Sequence, residues 1–228
     1  MLIVVAHPDD EILGCGGTGA VYHGDGHSVN ACILSAEAGA RSQRPDQLEL
    51  REDTLRAQEL LGFGPPILGN FPNIALNTVP HLALVQFIER ALIETGATTI
   101  FTHHARDLND DHSHVSRACQ AAARLGRRRT GTPTVTDVLL METLSSTDWS
   151  MPDGREPFDP DTFVPFGEEI LEKKIAALMC YKGVTRPRPH SRSEEVIRAL
   201  ATIRGAQCGH FWAEAFKSAF RVMSPARG

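Results

Sequence analysis

Two clusters of histidine and aspartate side chains carry the residue types found in hydrolytic metal sites. The first is His7-Pro8-Asp9-Asp10-Glu11, which places one imidazole and three carboxylates within five residues. Crowded carboxylates repel one another, and a divalent cation that binds two or more of the group relieves this repulsion. Because aspartate is also favoured at helix N-caps, the cluster could instead cap the helix that follows.

The second cluster runs from His103 to His114 and contains four histidines and three aspartates. If the two clusters meet in space, they offer nitrogen and oxygen ligands that suit zinc, with one coordination position left for water. Zinc lowers the pKa of a bound water towards ~7, which provides a nucleophile for hydrolysis. The residue types therefore predict a metal centre built from both clusters, with a position open to water.

The elements that must position these clusters follow from the hydrophobic pattern. Leu2 to Ala6 predicts a strand buried on both faces, and a strand from Thr98 to Thr102 precedes the second cluster. Further strands are predicted at 27–34, 67–68 and 135–141, helices at 16–24, 46–61, 80–94, 112–125, 168–181 and 193–205, and a long ordered loop at 145–165. This alternation predicts an α/β, Rossmann-like fold with a mostly parallel sheet and helices on both faces. Its site should lie at the carboxyl ends of the strands.

Length and composition indicate one globular unit. The 228 residues are 42% hydrophobic, which suffices for a sizeable core. We predict a single domain over 1–228, with a core over about 1–143 and a C-terminal specificity loop and helices over about 144–228. The formal net charge of −5 argues against a nucleic-acid partner. No apolar stretch approaches the ~20 residues of a membrane-spanning helix, so no membrane partner is expected.

The cysteines and the N-terminus predict a cytoplasmic location. The five cysteines are odd in number, widely spaced and without a CxxC pair, so neither a disulfide framework nor a cysteine zinc site is indicated. The chain runs from Met1 directly into a predicted strand, without a basic leader. Oligomeric state does not follow from the sequence, and a homo-oligomer is left open.

The motifs in both clusters resemble those of a known family. The segment Ala6-His7-Pro8-Asp9-Asp10-Glu11 matches in full the motif that marks the LmbE-like, or PIG-L, family of zinc-dependent N-deacetylases. Asp111-His112 resembles the family's second motif, an Asp-His pair in a polar loop that opens a helix. Gly14 to Thr18 is similar to its glycine-rich continuation, and weaker similarity extends through 51–62 and 213–216.

The resemblance implies a zinc-dependent hydrolase that removes an N-acetyl group from a small amino-sugar compound. It implies His7, Asp10 and His112 as zinc ligands and Asp9 as the catalytic base. Asp111 is expected to orient a neighbouring imidazole, although a helix-capping role is an equal alternative. Another divalent transition metal could replace zinc, because a histidine and carboxylate set is permissive.

Asn109 marks a departure from the family pattern. Relatives often carry a histidine at this position, three residues before the helix-opening ligand, where it is thought to assist the oxyanion. An asparagine amide donates a hydrogen bond but carries no proton. A second acid would then have to come from another residue, such as His104 or His210.

Four residues are predicted to contact the substrate: Arg51, Asn109, His190 and Arg192. Arg51 resembles a substrate-contacting arginine of the family, although an exposed helix arginine is the alternative. His190 and Arg192 belong to a segment from Arg186 that combines rigid turns with fork-like donors, and the alternative is a plain surface turn.

Two other site types fit the sequence poorly. Gly14 to Gly19 has the form GxGxxG and, with Glu37, suggests a nucleotide-dependent oxidoreductase, but the neighbouring carboxylates would repel a pyrophosphate. Asp107 to Asp111 opens like a calcium-binding loop, but the required glycine and glutamate are replaced by His112 and Ala118. The alternatives that remain are a zinc amidase acting on another amide, such as a thiol conjugate, and a non-catalytic sugar-binding relative.

Overall fold

Alternating strands and helices build the protein around one sheet, as seen in a computed structural model that describes residues 1–36, 47–151 and 156–223. The strands of this described part are β1 (Leu2–Val5), β2 (Asn30–Ile33), β3 (Ile67–Leu68), β4 (Thr99–His103), β5 (Asp137–Met141), β6 (Thr162–Phe166) and β7 (Trp212–Arg221). They form a seven-stranded sheet in the order β3-β2-β1-β4-β5-β7-β6. The first five are parallel, and β7 runs antiparallel to β5 and β6. The predicted α/β, mostly parallel fold is confirmed.

Helices cover both faces of this sheet. They are α1 (Asp10–Gly24), α2 (Gln47–Leu61), α3 (His81–Thr95), α4 (Asp110–Ala122), α5 (Leu125–Arg128), α6 (Glu168–Cys180) and α7 (Glu194–Cys208), with a short 3-10 helix at Leu76–Thr78. In β1, Ile3 and Val5 pack into the layer of α1, α2, α6 and α7, whereas Leu2 and Val4 pack against α3 and α4. The continuous apolar run therefore reflects burial on both faces of the strand.

Strands β6 and β7 were not expected from the sequence pattern. The loop predicted at 145–165 overlaps β6, and β7 follows the last predicted helix. Strand β6 contains Pro165 and lies at the edge of the sheet, where a missing backbone donor is tolerated. Because proline lowers the strand propensity of this segment, the strand is recognised only by its pairing with β7.

Helix α1 begins at Asp10, earlier than the predicted start at Gly16, and its glycines serve packing. A Cβ on Gly19 would lie 2.3 Å from the Phe63 ring, and one on Gly17 would lie 2.6 Å from the Phe166 ring. The absence of side chains therefore lets both rings approach the helix closely. This packing accounts for the glycine run without a bound nucleotide, and Glu37 lies outside the described residues.

A buried ion pair joins α1, α6 and β7. Glu214 Oε1 accepts hydrogen bonds from Lys174 Nζ at 2.6 Å and from the N–H of Gly17 at 2.8 Å. Glu214 Oε2 accepts from the N–H of Thr18 at 2.7 Å, and Lys174 Nζ also donates to the Leu13 carbonyl at 2.8 Å. This network connects the helix that carries the first cluster to the C-terminal part of the chain.

We expect Glu214→Gln to lower the free energy of unfolding by about 3 kcal/mol, because the buried Lys174 charge would lose its counter-charge. Urea denaturation monitored by circular dichroism measures the change. Glu172→Gln is the matched control, since Glu172 forms an exposed ion pair with Arg198, and exposed pairs contribute little. A loss of stability no larger than that of the control would contradict the expectation.

The described residues also bear on the remaining global predictions. All five cysteines are free thiols. No helix in the described part of the chain combines the length and apolarity required to cross a bilayer. The proposed division near residue 143, the cytoplasmic location and the homo-oligomer stay predictions.

Candidate metal centre and active site

Three side chains from the two clusters meet at the carboxyl edge of the sheet. His7 lies in the loop after β1, Asp10 opens α1, and His112 lies in the first turn of α4, which follows β4. Asp10 Oδ2 is 3.3 Å from His7 Nδ1 and 3.1 Å from His112 Nε2. One ligand atom from each of the three residues lies within 4.8 Å of the other two. The parallel strands thus bring both clusters to one point, as their positions predicted.

This donor set fits a divalent transition metal. Ligand atoms of a tetrahedral zinc site, with bonds of about 2.0–2.1 Å, lie roughly 3.3 Å apart. The separations at Asp10 Oδ2 are close to that value. Burial alone would lower the pKa of His112, but the Asp10 and Asp107 carboxylates outweigh it and raise the pKa to about 10. The surroundings therefore stabilise a positive charge at this imidazole, which a metal ion would supply in place of the proton.

Asp107 contacts the His112 ring nitrogen that faces away from Asp10, a role that the sequence analysis missed. Asp107 Oδ2 lies 3.0 Å from His112 Nδ1 and accepts a hydrogen bond from Thr147 Oγ1 at 3.0 Å. Asp107 Oδ1 accepts from the N–H of Asn109 at 3.2 Å. His103, Asp107 and His112 form a second group of donor atoms, but the 3.0 Å approach to Nδ1 identifies Asp107 as support for His112. Its place in the polar loop is a signal, although the loop contains two other aspartates.

We expect Asp107→Asn to weaken metal binding by about 10–100-fold, because the tautomer and orientation of His112 would no longer be fixed. A zinc titration against a competing chelator measures the affinity. Asp110→Asn is the matched control, because the Asp110 side chain is 70% exposed and pairs with His114 instead. Equal affinities of the two variants would contradict the assignment.

Asp111 links His7 to the segment that precedes α3. Asp111 Oδ2 lies 3.0 Å from His7 Nε2 and accepts a hydrogen bond from the N–H of Ile74 at 2.8 Å. Oδ1 accepts from the N–H of Leu76 at 2.9 Å. The residue that caps α4 is Asn109, whose side chain accepts from the N–H of Asp111 at 3.1 Å. The geometry therefore suits the orienting role for Asp111 rather than the capping alternative.

Asp9 lies between two candidate ligands in a conformation that needs support. Its backbone φ of 100° is in a region that non-glycine residues rarely adopt. The N–H of Asp9 donates to Glu11 Oε2 at 3.0 Å, and Glu11 Oε1 accepts from the Tyr181 hydroxyl at 2.5 Å. Glu11 is fully buried, and burial raises its pKa to about 8. Sequence reasoning assigned no role to Glu11 or Tyr181, which together hold the Asp9 backbone.

His103 packs against His112 and binds the end of β1. Its ring stacks on His112 with centroids 3.7 Å apart, and its Nε2 accepts a hydrogen bond from the N–H of Ala6 at 2.9 Å. Burial, followed by the neighbouring His112, lowers the pKa of His103 to about 3. A neutral His103 thus connects the ends of β1 and β4.

A cavity of about 660 Å³ opens beside this centre. Three of the four predicted substrate contacts line it, namely Asn109, His190 and Arg192, together with the half-exposed Trp149. The candidate metal ligands are not among the residues that line it and are nearly inaccessible to solvent. Arg51 is exposed and lines a separate cleft, so the structure does not bring it together with the other three.

Neither histidine considered as a second acid lines this cavity. The His104 ring packs edge-on against Phe158, with centroids 5.5 Å apart. His210 is exposed and follows the end of α7. His190 does line the cavity, where its ring contacts Trp149 and its Nδ1 accepts from the N–H of Arg192 at 3.0 Å.

The first motif lies within a recognised family match. Residues 2–123 match the family described as PIG-L: GlcNAc-PI de-N-acetylase, which is more than half of the 228-residue chain. The chain belongs to the PIG-L family. The match includes every candidate metal ligand and Asp9 but ends before Trp149, so the C-terminal wall of the cavity lies outside it.

Proteins similar to this PIG-L family member include deacetylases and a hydratase. The uncharacterised deacetylase YaiS of Escherichia coli strain K12 is 27% identical over 188 residues, covering 80% of this chain and 90% of YaiS. The N,N'-diacetylchitobiose deacetylase of Pyrococcus horikoshii superimposes with a TM-score of 0.75 at 17% identity, covering 95% of this chain and 82% of that one. GalB of Pseudomonas putida KT2440, a 4-carboxy-2-hydroxymuconate hydratase, gives 0.76 at 20% identity, covering 100% and 98%. These two structures share the fold of this chain but differ in the reactions they are named for, so the fold alone does not identify the reaction.

Proposed function

We propose that this PIG-L family member is a zinc-dependent N-deacetylase acting on a small amino-sugar compound. The observation that carries the proposal is the meeting of His7, Asp10 and His112 at one point, with the buried Asp9 next to Asp10 in the chain. The family supplies the coarser statement that the protein belongs among deacetylases. Zinc, the acetyl group and the amino sugar are the proposed parts.

All but one of the predicted site residues have a role in this proposal. His7, Asp10 and His112 would hold the zinc ion, Asp9 would act as the base, Asp111 would orient His7, and Asn109, His190 and Arg192 would contact the substrate. Arg51 lines a separate cleft and has no role at this cavity. Bound zinc would supply a Lewis acid and a water of lowered pKa. The set of two imidazoles and one carboxylate suits this ion and leaves a coordination position open.

Asp9 moves the proton in the proposed reaction. It accepts a proton from the attacking water as the new C–O bond forms at the amide carbon, while the carbonyl electron pair moves onto oxygen. When the C–N bond breaks, Asp9 returns that proton to the departing nitrogen. The products are the free amine and acetic acid, which then ionises.

The cavity supports an amino sugar as the substrate. Trp149 presents a half-exposed indole next to the polar side chains of His190 and Asn109. An aromatic surface beside hydrogen-bonding groups suits a ring that is apolar on its face and hydroxylated at its rim. The deacetylase of similar fold from P. horikoshii is named for such a substrate, N,N'-diacetylchitobiose.

The proposal extends to partners and compartment. The substrate would be a small molecule, and the net charge of −5 weighs against nucleic acid. The free thiols support the proposed cytoplasmic location.

The decisive experiment is amine release from a panel of N-acetylated compounds by purified protein. The panel contains N-acetylglucosamine, N,N'-diacetylchitobiose and, for the alternative amide class, N-acetylcysteine. Each is assayed with protein as isolated, after chelation and after zinc return. We expect release from an amino sugar that is lost on chelation and restored by zinc. Bound zinc without release from any amino sugar would overturn the substrate class, and absence of zinc binding would overturn the metal centre as well.

A further inference from the structure

Arg192 is a cation that the C-terminal part of the chain holds against the proposed base. Its Nη1 donates to Asp9 Oδ2 at 3.4 Å, although the two residues are 183 positions apart in sequence. Its Nε donates to Ser145 Oγ at 2.7 Å and to the Leu144 carbonyl at 3.3 Å. Arg192 is only 9% exposed, yet it lines the cavity.

The residues around Arg192 hold its side chain and its backbone in place. Ser145, which orients the guanidinium, has a backbone φ of 67°, in the left-handed region that serine seldom adopts. The backbone N–H of Arg192 is itself bound to His190 Nδ1. Arg192 thus combines a fixed orientation with a place in the cavity lining, although the residue is nearly buried. A charged donor held in this way is suited to bind an acceptor on a ligand in the cavity.

Other polar groups around the cavity are less suited to this position. Lys182 forms an ion pair with Glu49, and the exposed Arg186 donates its Nε to the Gly183 carbonyl at 2.9 Å. The Asn109 side-chain oxygen caps α4. Arg192, in contrast, contacts Asp9 directly.

We propose that Arg192 is a catalytic residue that donates a hydrogen bond to the oxygen of the scissile amide. The inference rests on the proposed function. As Asp9 takes the proton of the attacking water, the carbonyl electron pair moves onto oxygen, and a cation adjacent to Asp9 stabilises the developing negative charge. A guanidinium keeps its charge and presents its donors in a rigid fork, so it supplies this hydrogen bond without giving up a proton.

Arg192→Met tests the proposal through a split between kcat and KM. We expect kcat to fall by about 100-fold, as for loss of a comparable donor, with little change in KM or zinc content. Ethylguanidinium added to the variant should restore part of the activity. Arg188→Met is the matched control, because Arg188 is an exposed arginine of the same segment outside the cavity lining. A raised KM with unchanged kcat would overturn the proposal.

A second variant keeps the test decisive if Arg192→Met does not fold. Ser145→Gly removes the hydroxyl that orients Arg192 and relaxes the strained backbone. We expect a smaller loss of kcat with KM retained. An unchanged kcat would count against Arg192.

Acetate binding separates this inference from the proposed function. Zinc-loaded wild type and Arg192→Met are titrated with acetate, the carboxylate product of deacetylation, by calorimetry. We expect acetate affinity to fall by about tenfold or more in the variant, as expected for a lost hydrogen bond between charged groups. If the panel shows no hydrolysis, the proposed function fails, whereas a loss of acetate affinity still supports the Arg192 contact. Equal acetate affinities would overturn that contact whatever the panel shows.

Discussion

Replacing His112 with asparagine is expected to abolish metal binding and all metal-dependent activity. His112 Nε2 is one of three donor atoms that converge at the candidate centre, and Nδ1 lies 3.0 Å from Asp107 Oδ2. Without this imidazole, two protein ligands remain, fewer than the three typical of catalytic zinc sites. The affinity should fall by more than the roughly 10–100-fold expected when only a supporting carboxylate is lost.

Metal content by inductively coupled plasma mass spectrometry and amine release measure the effect of His112→Asn. His114→Asn is the matched control, since His114 lies two positions further along α4 and pairs with Asp110. The control should retain about one zinc ion per chain. Wild-type zinc affinity in His112→Asn would refute the assignment of this ligand.

Asp9→Asn is expected to lower kcat by about 1,000-fold while the metal remains bound. The substitution preserves the shape of the side chain and an acceptor for Arg192, but an amide does not take up the proton of the attacking water. Because Asp9 is not one of the three residues whose ligand atoms converge, its replacement should change zinc affinity little. This outcome separates loss of the base from loss of the metal.

Steady-state kinetics and a zinc titration on the same sample test this expectation. Asp25→Asn serves as the control, because Asp25 is an exposed aspartate at the far end of α1. If Asp9→Asn retained kcat, the base would have to be another residue. If it lost the metal instead, Asp9 would belong with the ligands.

The candidate metal centre was predictable because its residues closely follow the ends of two strands. His7 and Asp10 follow β1, and His112 follows β4. Because β1 and β4 are neighbouring parallel strands, they end at the same edge of the sheet. Residue type and position therefore sufficed to predict that the two clusters meet. The support from Asp107 was harder to predict, because three aspartates precede His112 and the fold of the loop before α4 determines which one faces its Nδ1.

The C-terminal contributions could not be predicted in the same way. Strand β6 contains a proline and is recognised only through its pairing with β7. Tyr181 reaches Glu11 across 170 positions of sequence, and Arg192 reaches Asp9 across 183. No local pattern encodes such contacts, because they depend on how α6 and the segment before α7 pack against the site.

The sequence by itself determined which chemistry we propose for this protein, since the imidazoles and carboxylates, their family motif and their places after two strands suffice to predict a metal centre. Only the tertiary structure decided how that chemistry is supported. Asp107 and Asp111 each lie 3.0 Å from an imidazole nitrogen, Glu11 accepts from the N–H of Asp9, and Arg192 contacts Asp9 from a distant segment. The physical reason is separation along the chain. The alternation of strands and helices and the spacing within a motif report local geometry, whereas the charge pairs at the site join side chains that only folding brings together.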